Sequence, residues 1–128
     1  MKTPKQFLVI GGIVLVVVGI LGFFGPIGPT ADASIFGSFW YFDNAENWAH
    51  LVLGVVALIA SKVLGESLQK PLVIVVGVVG LFFALWNLGS TTFLSANLES
   101  PADLILHLVV GIWALYAALN KSGSAAMV

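Results

Sequence analysis

One pattern is written twice in this 128-residue chain, 57 positions apart. Glu46 to Leu58 reads ENWAHLVLGVVAL and Asp103 to Leu115 reads DLILHLVVGIWAL, with six of thirteen positions identical. Each copy carries one of the two histidines, His50 or His107, with an acid four residues before it and a glycine, Gly54 or Gly111, four residues after. Residues four apart share one face of a helix, so acid, His and Gly form a stripe in each copy. The register extends upstream. Leu8-Val9-Ile10 matches Leu72-Val73-Ile74 and Gly25 matches Gly89 at an offset of 64, and Phe36 and Phe93 resume the offset of 57 after seven extra residues in the first connection. The expected architecture is two tandem helical hairpins, about residues 1–64 and 65–121, followed by a short tail, 122–128. Each hairpin would comprise a plain apolar span, a connection and a His-bearing span. Each half crosses twice, so the two share an orientation about an axis along the membrane normal.

That the spans cross a membrane follows from composition. With 59% apolar and 9% charged residues and a mean hydropathy of +1.07, the chain cannot cover itself with a solvated surface. Four apolar stretches are long enough to cross a bilayer core of ~30 Å at ~1.5 Å per residue: roughly Phe7 to Phe24, Asn44 to Leu64, Pro71 to Gly89 and Pro101 to Leu119. The expected fold class is all-α, a four-helix antiparallel transmembrane bundle forming a single integral membrane domain over residues 1–128. Lys2 and Lys5 ahead of an apolar run, with Ala31-Asp32-Ala33 beyond it, also fit a cleaved secretory signal. The length of the run and its repeat partner favour a retained span.

Charge placement predicts the orientation. All five cations, Lys2, Lys5, Lys62, Lys70 and Lys121, fall at the N-terminus, the short middle connection or the C-terminus. These lie on one side of a four-span topology, which is expected to be cytoplasmic in a cell (plasma or inner) membrane, with both termini there. Asp32, Asp43, Glu46, Glu99 and Asp103 lie in or beside the other two connections, leaving Glu66 with the lysines. Phe36, Phe39, Trp40, Tyr41 and Phe42, followed by Trp48, suit an interfacial segment anchoring the first connection.

The acids and histidines are the chemistry-bearing residues. Asp43-x-x-Glu46 and Ser100-x-x-Asp103 resemble helix N-terminal caps, with Pro101 expected at the first helical position. His50 and His107 then sit on the order of 10 Å below the helix starts. A polar group at that depth needs a partner, because an unpaired one in hydrocarbon costs several kcal/mol. In one reading each His bonds the acid one turn above, a backbone carbonyl or a side chain such as Asn47, and acts as interhelical glue. In a second, His50 and His107 are axial ligands of a haem or chlorophyll, with Gly54 and Gly111 leaving room for the macrocycle. In a third, Glu46, His50, Asp103 and His107 line a proton or metal-ion path. The spacing matches no zinc motif, and no dedicated metal site is expected. The glycines also suit close helix packing. Asn87, Trp86 and Tyr116 are expected to be interface or interhelix contacts.

The absence of cysteine excludes disulfides, thiolate metal sites and cysteine nucleophiles. Nothing in the chain resembles a phosphate-binding loop, a nucleophile with its base or a basic nucleic-acid surface. No catalytic residue and no enzyme activity are expected.

Asn47-x-x-His50-Leu51-x-x-Gly54 and Asp103-x-x-Leu106-His107-Leu108 resemble a family of small four-span prokaryotic membrane proteins classed as a domain of unknown function. The likeness runs from Phe7 to about Leu119. In that family the Asn-His and Asp-Leu-His motifs recur at the starts of the second and fourth spans. The resemblance implies four helices, marks Asn47, His50, Asp103 and His107 as positions of interest, and supplies no activity. The aromatic-rich first connection departs from the family pattern. The expected role is a small non-enzymatic membrane protein, a structural or accessory subunit that packs in the bilayer against itself or a larger complex, with no nucleic-acid partner. The alternatives are the cofactor-binding protein and the ion conduit.

Overall fold

The computed structural model describes residues 3–93, 96–99 and 101–120, and within them the protein is four long helices. These are α1 (Pro4–Phe23), α2 (Asn44–Val63), α3 (Glu66–Gly89) and α4 (Ala102–Leu119), each long and apolar enough to cross a membrane. Among the described residues there are also a 3₁₀ turn at Gly37–Phe39 and a pair of two-residue antiparallel strands, β1 (Thr92–Phe93) and β2 (Ala96–Asn97).

Local sequence explains where each helix starts and stops. At the head of α1, Thr3 accepts from the Gln6 amide and the Gln6 side chain reaches back to Thr3, a capping box followed by Pro4 at the first turn. The helix stops ahead of Gly25, which adopts a positive φ of 73°, and Pro26, which has no amide to continue the ladder. Asp43 and Glu46 form the second capping box, on α2. Two boundaries differ from expectation. Helix α3 begins at Glu66 rather than at Pro71, because Gly65 supplies the cap position and Pro71 lies early enough to remove a single ladder bond. Pro101 takes the flanking position of α4 rather than the first helical one, and Ser100 lies outside the described residues, as do Lys2, Lys121 and the tail.

Small residues set the helix pairing. On α1, Gly12 faces Gly54 and Leu58, and Gly19 and Gly22 face Asn47 and Leu51, so α1 and α2 run antiparallel in close contact. On α3, Gly77 faces Leu115 and Gly111, and Gly80 faces Gly111 and His107, which pairs α3 with α4 in the same sense. Helix α1 also touches α3 and α4 and so joins the two pairs. Between them, at the end near the α2–α3 connection, lies an apolar core of Phe7, Leu8, Ala60, Val73, Ala114, Ala117 and Ala118. Phe7 and Trp113 meet there edge to face, with ring centroids 4.5 Å apart. Gln69 ties the same end by donating to the carbonyls of Ser61 and Leu64.

Only 28% of the most apolar window of each helix is buried. Ile13, Val17, Val52, Val56, Val75, Val78, Ile105 and Val109 all point outward. A water-soluble domain would not present such faces on every helix, whereas hydrocarbon solvates them. The molecule has the character of a multi-pass membrane protein.

Candidate functional site

The polar residues gather at the other end, where the α1–α2 and α3–α4 connections meet. The first connection is a folded unit. Phe42 N–H donates to the Ile27 carbonyl and Ile35 N–H to that of Pro26, both at 2.8 Å, while the Ser34 hydroxyl donates to the Trp40 carbonyl at 2.8 Å. This arrangement aims the Trp40 indole at α4, where its Nε1 donates to Asp103 Oδ1 at 2.9 Å. Asp103 Oδ2 accepts from the Glu99 amide at 2.7 Å, so a fully buried carboxylate is bonded through both oxygens. Asp43 is bonded in a matching way, with Oδ1 capping Glu46 N–H at 2.9 Å and Oδ2 accepting from Asn97 N–H of β2 at 2.8 Å. At this end, among the described residues, the Trp40–Asp103 and Asn97–Asp43 bonds both cross between the hairpins, each through an acid.

Between these crosslinks three buried acids converge. One oxygen each from Glu46, Glu99 and Asp103 lies within 4.8 Å of the others. No lysine among the described residues reaches them: Lys5, Lys62 and Lys70 occupy the opposite ends of their helices. Like charges at that separation repel by about 3.5 kcal/mol per pair at an effective dielectric constant of ~20. Glu99 precedes α4, and its carboxyl is pushed up to about 8, chiefly by burial and then by hydrogen bonding to, and the charge of, Asp103. Its Oε1 accepts from Asn97 Nδ2, while Oε2 is buried with no partner.

The two histidines differ in their surroundings. His107 Nδ1 lies 2.8 Å from the Asp103 carbonyl and its ring lies against Phe83, with centroids 5.4 Å apart. His50 meets the edge of Phe42 at 5.0 Å, and its buried Nδ1 has no partner. His107 and Asp103 lie within electrostatic reach of His50. Asn47, fully buried, donates from Nδ2 to the Phe42 carbonyl at 3.1 Å and lays its side chain against Gly22. Gly54 and Gly111 face neighbouring helices rather than open space. A Cβ at Gly54 would come within 2.8 Å of the Gly12 carbonyl and Val16, and one at Gly111 within 3.0 Å of Leu81, which leaves no room for a macrocycle at either position.

Of the residues singled out in the sequence, Glu46 and Asp103 meet, and His50 and His107 lie one turn below them. Asn87 bonds the carbonyls of Ser90 and Leu98, and Trp86 bonds that of Thr92, which supports the second connection. Sequence reasoning missed Glu99, Trp40 and Asn97 as parts of the site. Glu99 stands four residues before Asp103, the spacing that puts two acids together, but it precedes the helix and periodicity does not reach it.

No family model matches this chain, and neither a curated protein nor a solved structure resembles it closely enough to count as a match.

Proposed function

We propose that this protein is a small non-enzymatic integral membrane protein, a structural or accessory subunit that packs against itself or a larger complex in a cell membrane. One observation carries the reading. The polar groups at the connection end are largely spent on bonds that tie the chain to itself, with Asp103 and Asp43 bonded through both oxygens, while the outward faces of all four helices are apolar along their length. What such a surface offers is helix packing within a bilayer. The two repeated hairpins, the cytoplasmic placement of the lysine-bearing end and of both termini, and kinship with the four-span family of unknown function belong to the same reading. The repeat is supported by the similar glycine contacts of α1 with α2 and of α3 with α4. The chain, extracted from its native membrane in mild detergent, should migrate on a native gel at a fixed size above the monomer, and His107→Gln should preserve that size. A monodisperse monomer with no bound protein at any extraction condition would rule out the subunit reading.

A second reading, a haem- or chlorophyll-binding protein, takes its support from the buried His50 Nδ1 without a partner and needs the macrocycle to lie away from Gly54 and Gly111, where the helices are packed closed. His107 has its Nδ1 against a carbonyl, which leaves Nε2 to serve as its ligand atom. The same native material should then show a Soret or chlorin band that disappears in His50→Ala. A colourless preparation sinks that reading and leaves the subunit reading untouched.

A further inference from the structure

We propose that the connection end is a proton-held clasp: a proton shared between the Glu99 and Asp103 carboxyls locks the second connection onto the first, and alkaline conditions open it. The geometry comes first. The Glu99 carboxyl lies against that of Asp103, within a group of three acids that no lysine among the described residues approaches. Asp103 already accepts two hydrogen bonds, from Trp40 and from the Glu99 amide, which makes it the acceptor of the pair. Glu99 is 9% exposed, and its Oε2 is buried with no hydrogen-bond partner. A carboxyl oxygen in that position is satisfied when it carries the proton itself and donates it. Losing the proton would leave a second buried carboxylate facing Asp103.

The groups facing Glu99 come from every segment around it: Tyr41 from the first connection, Asp43 and Glu46 from the start of α2, and Asp103 from α4, with His50 and His107 a turn further in. Burial and Asp103 oppose ionisation of Glu99, and the Tyr41 backbone amide offsets them only in part. The folded chain therefore holds the Glu99 proton to a higher pH than the opened chain does. An acid whose affinity for its proton is raised by folding stabilises the closed form fully below the ordinary carboxylate range. That contribution is lost as pH rises toward the raised value of about 8. For one proton, opening increases about tenfold per pH unit across that window.

The chain has no cysteine, so Leu98→Cys, at a buried position beside Glu99, gives a single reporter of opening. In nanodiscs its maleimide labelling rate, divided by that of free cysteine at the same pH because the reactive thiolate fraction itself rises with pH, should climb from pH 5 to 8, by about tenfold per unit where opening limits labelling. Glu99→Gln, which keeps a donor and cannot ionise, should abolish the climb and keep the slow rate. Glu66→Gln, at the other end of the bundle, should leave the climb intact. Thermal unfolding of the cysteine-free chain and of Glu99→Gln over the same range supplies a reading independent of the reporter. A flat rate, an undiminished climb in Glu99→Gln, or a melting temperature raised by calcium or manganese at neutral pH and lost in Glu99→Gln would each overturn the proposal, the last by making a cation the occupant.

Discussion

Asp103 holds three segments together. Its oxygens accept from Trp40 in the first connection and from the Glu99 amide ahead of α4, and its carbonyl meets His107 a turn below. Replacing Trp40 with Phe keeps the ring and removes the donor, leaving a fully buried carboxylate oxygen unsatisfied, which costs about 1–3 kcal/mol. We expect a clear fall in melting temperature for Trp40→Phe and almost none for Trp48→Phe, whose ring is exposed. Equal effects would show that the indole contributes area rather than its hydrogen bond. Asp103 was recognisable in the sequence as an acid at a helix start, because capping is local. Its partner Trp40 was not, because 63 positions separate them and only the folded first connection aims the indole.

At the scale of elements, the helices and their glycines account for each other. Spans of uniformly apolar residues gain nothing from burial against each other in lipid, so contact is governed by how closely the backbones approach. Gly54 and Gly111 stand where a neighbouring helix leaves no space for a side chain. Leu at either position should cost about 1–3 kcal/mol through overpacking. If the halves are true repeats, the two losses should agree within about 0.5 kcal/mol, and parallel melts of Gly54→Leu and Gly111→Leu read this directly. A loss at one position alone would count against the tandem arrangement. The four spans were legible to within a few residues, except that α3 starts earlier than Pro71 implied. Pro71 lies inside α3, where it removes one ladder bond without ending the helix, and Gly65 set the boundary instead.

For the whole molecule, the two ends do different jobs. The α2–α3 end is closed by an apolar core and Gln69, and carries Lys5, Lys62 and Lys70; the other end is closed by hydrogen bonds and acids. If the lysine end faces the cytoplasm, as we propose from the positive-inside tendency, an impermeant amine reagent should label Lys62 and Lys70 in inverted vesicles and spare them in intact cells. The reverse result would invert the topology. Fold class and membrane character were determined by sequence alone, since both follow from the length and composition of four apolar runs, which no tertiary contact alters. Pairing of Glu46 with Asp103, recruitment of Glu99 and Trp40, and the closed space at both glycines were decided by tertiary structure. Periodicity places a residue on a face of its own helix, whereas which faces meet depends on how closely the helices pack and on how the connections fold between them.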